Sequence, residues 1–116
     1  MNIVTLSGGI TQEPMAAELP SGKKVLELNI CVNESYKDNN GEWQKKPNYF
    51  TIKYFKNFDR ILEYLKVGTK LYVTGKLSYS DWTDKQTGKK RSKIDIIADQ
   101  LEWSQPQGKA KSDIPF

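Results

Sequence analysis

The chain has 116 residues, 37% hydrophobic and 28% charged, with a formal net charge of +4, one cysteine (Cys31) and no histidine. That length supports one domain with a real core, while the cysteine and histidine counts exclude an intramolecular disulfide and any Cys/His metal site. The basic excess suits a polyanionic partner without requiring one.

The opening MNIVTLSGG carries neither a basic leader nor a long apolar run. No stretch reaches the roughly 20 apolar residues of a membrane span, so a cytoplasmic protein without membrane association is expected. Residues 2–7, NIVTLS, read as a first strand closed by a bend at Gly8-Gly9. A phosphate loop is not indicated, because neither GxxxxGK[ST] nor GxGxxG follows. Pro20-Ser21-Gly22 reads as a turn. Residues 25–33 then alternate: Leu26, Leu28, Ile30 and Val32 on one face, Val25, Glu27, Asn29, Cys31 and Asn33 on the other. Residues 35–48 are polar, with a turn signal at Asn39-Asn40-Gly41.

The third strand is YFTIKYF, residues 49–55. Side chains alternate across a strand, so Phe50, Ile52 and Tyr54 face inward, while Tyr49, Thr51, Lys53 and Phe55 face outward. A helix is expected next, with Asn57 as N-cap, Asp59 in its first turn, Ile61, Leu62 and Leu65 at helical spacing and Gly68 at its C-terminus. Residues 70–82 form a fourth alternating strand and 83–90 a polar hairpin tip. A fifth strand, 91–101, places Ile94 and Ile96 on one face. The order is three strands, one helix, two strands. It predicts an all-β fold over residues 1–104: a five-stranded Greek-key barrel, the OB-fold, with one helix between strands three and four. Residues 105–116 are expected to be a disordered tail.

Outward rings are unfavourable unless something covers them. Tyr49 and Phe55 flank Lys53; Tyr36 and Trp43 sit beside Lys37, Lys45 and Lys46; Trp82 is in phase with Lys76, just before Lys85, Lys89, Lys90, Arg91 and Lys93. Unpaired bases present π-faces along a phosphate chain, and rings interleaved with cations match that surface. The expected contact set is Tyr36, Trp43, Tyr49, Lys53, Phe55, Lys76, Trp82, Lys89 and Arg91. Trp103 and Cys31 read as packing residues. Nothing suggests a recognition helix for a major groove. Val25, Asn29, Cys31 and Tyr72 offer surface for a second copy. Three other readings stay open. A nuclease would need clustered carboxylates, of which Asp81 and Asp84 are the nearest pair, with hairpin capping as their ordinary role; no enzyme and no cofactor is expected. An RNA-binding module of cold-shock or initiation-factor type would use the same stacking surface. A protein-interaction barrel would use the rings as a subunit interface.

The segments NIVTLSGGITQEP, LPSGKKV, NESYKD, YFTIKYF, YLKVGTKLYVTGKL and SDWTDKQTG, with the terminal SDIPF, resemble the bacterial-type single-stranded DNA-binding proteins. The resemblance implies an OB-fold that assembles as a homotetramer and wraps single-stranded DNA without sequence preference. It implies work in replication, recombination and repair, on nucleoid DNA. It assigns stacking to Tyr36, Tyr49, Phe55 and Trp82, two of them Tyr where well-known members carry Trp. It also makes Asp113, Ile114, Pro115 and Phe116 a tip that recruits replication and repair proteins. The short linker and single tip acid are departures that suit a compact, phage- or mobile-element-type member.

Overall fold

The computed structural model describes residues 1–104. Six strands run in chain order: β1 Val4–Ile10, β2 Met15–Glu18, β3 Lys24–Lys37, β4 Trp43–Tyr54, β5 Lys70–Thr83 and β6 Lys90–Ser104. The hydrogen-bonded order is β1-β5-β6-β4-β3-β2, and β1 pairs in addition with β3. That extra pairing, Gly9↔Cys31 and Ile10↔Ile30, closes β1, β5, β6, β4 and β3 into a five-stranded barrel. All its neighbours are antiparallel except β4 and β6, which run parallel. The expected OB-fold barrel is therefore present. Short β2 lies outside the ring, paired with the start of β3.

Closure depends on close backbone approach at Gly8. A Cβ there would collide with the carbonyl oxygen of Cys31, so the residue without one lets β1 cross from β5 to β3. The strand runs on through Gly8-Gly9 to Ile10, three residues past its expected end.

The inward stripes fill the barrel. Leu26, Leu28, Ile30 and Ile52 are fully buried, across from one another or from the partly buried Tyr54 and Phe50 in the β3–β4 register. Leu71 and Val73 of β5 and Ile96, Ala98 and Leu101 of β6 complete the wall. Burying each large aliphatic side chain stabilises the fold by about 1.5–3 kcal/mol. Trp103 packs against this core as expected, and its ring stacks on Tyr64 with centroids 5.8 Å apart.

The expected helix does not form. Among the described residues, the segment between β4 and β5 holds only a three-residue 3-10 turn, Leu62–Tyr64. The capping signal is real: the Asn57 side-chain oxygen accepts from the Asp59 N–H at 2.9 Å. One α-type bond follows, from the Leu62 N–H to the Phe58 carbonyl, and then the spacing tightens to i−3. Twelve residues ending in a glycine are too few to propagate a helix unaided, even with helix formers such as Leu62, Glu63 and Leu65 among them. Tertiary ties then set the path. Phe58 and Leu65 are buried, and Gly68, at φ 94°, donates to the Ile10 carbonyl while Ile10 donates to Thr69.

Two further expectations change. The strand read as residues 25–33 runs on into the polar stretch: β3 and β4 pair out to Lys37↔Trp43, leaving a turn of five residues around Asn39-Asn40-Gly41. Val25 is buried, at the position where β2 pairs across from it, so it is not available to a second copy. Ile94 and Ile96 do share a face, but only Ile96 is buried, because Ile94 lies on the part of β6 beyond the barrel wall and is exposed.

Candidate nucleic-acid interface

Two hairpins carry the candidate residues. The β3–β4 arm pairs from Leu26↔Tyr54 to Lys37↔Trp43, and the β5–β6 arm from Lys70↔Ser104 to Thr83↔Lys90. Between the arms, β4 and β6 pair only over Ile52–Tyr54 and Ile96–Ala98. Beyond that contact each arm runs out on its own.

The same turn chemistry closes both arms. At the first tip, the Asp38 carboxylate accepts from the Asn40 and Glu42 N–H groups, both at 2.9 Å, and from the Gln44 amide at 3.1 Å. Gly41 takes the left-handed position at φ 81°. The Glu42 amide bond, above all, holds the Asp38 carboxyl below its ordinary value, against a smaller opposing effect of burial. At the second tip, Asp84 accepts from the Gln86 N–H at 2.8 Å, and Gly88 is left-handed at φ 71°. Asp84 thus caps the hairpin, whereas Asp81 lies on β5 opposite Ser92.

Register sorts the side chains by face, since directly opposed residues share one. On the outward face of the first arm lie Trp43, Tyr49, Thr51 and Lys53. On that of the second lie Trp82 opposite Arg91, Ser80 opposite Lys93, Ser78 opposite Asp95 and Lys76 opposite Ile97. The two faces join where Lys53 pairs with Ile97. Phe55, just past β4, lines a groove of about 560 Å³ with Lys76 and Ile97. The structure therefore brings Tyr49, Lys53, Phe55, Lys76, Trp82 and Arg91 to one side of the barrel, with Trp43 at the end of the first arm. Lys89 sits in the second tip. Tyr36 has the opposite parity: it pairs with Gln44 and lines a separate cavity with Glu34 and Lys46. Trp43 is 69% and Tyr49 70% exposed, and Tyr36 and Trp82 are about half-exposed.

Several cations are already engaged. Lys53 Nζ lies 3.2 Å from Asp95 Oδ2, and Arg91 Nε 3.3 Å from Asp84 Oδ2. Lys37 Nζ stands 5.6 Å from the centroid of the Trp43 ring. Sequence reasoning missed Asp95, a buried acid on the outward face; its one signal was being in phase with Lys93 inside a basic run. It also missed the exposed apolar trio Leu77, Tyr79 and Ile94. Among the described residues, no group of three or more His, Cys, Asp or Glu side chains is placed to hold a metal ion. No described helix is long and apolar enough to cross a membrane.

Fold and face together define an OB-fold barrel whose outer side presents rings among cations, a surface matched to extended nucleic-acid strands. The chain belongs to the Single-strand binding protein family, whose sequence profile matches residues 1–104. It is 38% identical over 103 residues to the single-stranded DNA-binding protein of Borreliella burgdorferi, covering 88% of this chain and 68% of that one. It is 33% identical to the protein of that name from Deinococcus radiodurans, but spans only 34% of its length. Among solved structures, it is similar to the Plasmodium falciparum SSB in complex with ssDNA, with a TM-score of 0.74 and 27% identity over 89% of this chain and 92% of the other.

Proposed function

We propose that this protein binds single-stranded DNA without base preference and protects it during replication, recombination and repair. The observation that carries the reading is the outward face on which Tyr49, Phe55 and Trp82 stand among Lys53, Lys76 and Arg91. Rings take the faces of successive bases, and lysine and arginine heads take the phosphates between them. Since every base has a π-face, such a surface tolerates any sequence. Tyr36 joins from the far face of the first arm if the strand passes around it, and Trp43 and Lys89 extend the track at the two tips. The relatives' names and the ssDNA in the Plasmodium complex support the same reading.

The binding domain is assigned to residues 1–104. Residues 105–116 lie outside the described residues and are assigned as a tail whose tip, Asp113-Ile114-Pro115-Phe116, docks replication and repair proteins. The reading includes a homotetramer acting on nucleoid DNA in the cytoplasm, with no catalysis of its own.

The test is a titration with oligo(dT), oligo(U) and a duplex of equal length at two salt concentrations. Tight oligo(dT) binding, weaker duplex binding and a fall in affinity with salt are expected. Equal affinity for duplex and single strand would overturn the reading. Preference for oligo(U) would move the protein to the RNA-binding class.

A further inference from the structure

We propose that Asp95 is an internal counterion that holds Lys53 and Lys93 and limits how strongly this face grips phosphates; the inference rests on the single-strand-binding reading above. β6 lies between β4 and β5 in the sheet. Asp95 sits on its outward side, opposite Ser78, with its side chain only 7% exposed. Its Oδ2 is 3.2 Å from Lys53 Nζ and its Oδ1 3.4 Å from Lys93 Nζ. The second contact is electrostatic only, because Oδ1 makes no hydrogen bond. Burying a carboxylate oxygen without one is costly, yet the group stands in the middle of the cationic face.

The two lysines differ in freedom. Lys53 is held closely and is mostly covered, whereas Lys93 keeps about half of its side chain in solvent. Lys93 can therefore swing from Oδ1 to a phosphate without leaving its strand position. A lysine whose charge is shared with a protein carboxylate attracts fewer phosphates, and binding through it releases fewer counterions than binding through an unpaired one. Asp95 is thus a positioning residue. It aligns two ammonium groups that would otherwise repel, and it keeps the strand exchangeable by weakening the electrostatic part of the grip. An ion pair that merely ties β4 to β6 would change the melting temperature when broken, and would leave the salt dependence of binding untouched.

Asp95→Asn keeps the shape and removes the charge. Oligo(dT) association measured between about 50 and 200 mM salt should give a steeper plot of log K against log salt than the wild type, by about 0.7 for each lysine released. Binding at the low-salt end should be tighter. Asp95→Glu, which restores the charge, should keep the wild-type slope. A folded Asp95→Asn protein with an unchanged or shallower slope overturns the inference, as does a Glu variant as steep as the Asn variant. If melting shows that Asp95→Asn does not fold, Lys93→Gln decides. It should flatten the wild-type slope by clearly less than about 0.7, and loss of that full amount would show that Asp95 does not hold Lys93. Failure of the wild type to bind oligo(dT) would overturn the parent reading instead, so the two failures are distinguishable.

Discussion

Trp82 and Arg91 face each other across β5 and β6, and this pair shows what a single position contributes to the proposed interface. The indole offers a flat face for a base, and the guanidinium beside it, leaning on Asp84, can reach the adjoining phosphate. Trp82→Ala should weaken oligo(dT) binding by about 1–3 kcal/mol, a range borrowed from single-strand-binding proteins of this kind rather than obtained from this structure. Unchanged affinity, measured by titration, would remove Trp82 from the interface. Gly75 matters for a different reason. The β5–β6 register slips beside it, between Thr74↔Gln100 and Gly75↔Ala98, and a Cβ there would run into the Ile97 carbonyl oxygen. Because that neighbour is backbone, it cannot swing aside. Gly75→Ala should destabilise the barrel by about 1–3 kcal/mol, read as a lower urea midpoint. A midpoint equal to the wild type would show that the strands can separate without strain.

The two arms are the elements that carry the proposed interface, and each depends on its tip. At the first, the carboxylate of Asp38 gathers two donors within the turn and a third from Gln44 at the start of β4. Those bonds favour the charged form and lower its pKa from the ordinary 3.8, the Glu42 amide contributing most. A depressed carboxyl contributes stability that is present above the unfolded pKa and lost as pH falls through the folded one. The tip should therefore loosen only in strongly acidic solution. The amide chemical shifts of Asn40 and Glu42 should titrate together with a midpoint below 3.8. A midpoint at or above it would mean that the turn does not hold the charge. The tip chemistry was legible in the sequence, since an Asn-Asn-Gly run acts locally. The length of the arms was not. Polar residues 35–48 carry no strand period of their own, and become strand only because each half supplies the other's backbone partners.

At the scale of the whole molecule, exposed surface remains to be covered. Tyr72, Tyr79, Leu77 and Ile94 all present substantial apolar area, and water-facing patches of this kind mark interaction sites. The proposed homotetramer would cover part of it. Light scattering at micromolar concentration should give several times the 13.3 kDa of one chain, and a monomer mass would refute assembly. Val25 plays no part, being buried within its own chain. The proposed tip should be separable from the barrel. Deleting Phe116 should leave oligo(dT) affinity unchanged and abolish docking to replication and repair proteins, as measured by pull-down with purified partners. A deletion protein that still binds every partner would refute the tip.

By itself, the sequence determined what acts over a few residues: the inward stripes of β3 and β4, the turn at Gly41, the hairpin tip within residues 83–90, and the outward placement of Tyr49 and Lys53. These follow from the two-residue period of a strand and from the few residues that tolerate a left-handed turn. The tertiary structure decided what depends on distant partners. Whether 57–68 became a helix turned on ties to Ile10 and on burial of Phe58 and Leu65. Whether MAAE became β2 turned on an open edge of β3. Whether Asp95 was a solvated charge or a buried counterion turned on Lys53 arriving from β4 to join its strand neighbour Lys93. Backbone hydrogen bonds and burial depend on which strand lies alongside, and the local order of side chains does not encode that neighbour.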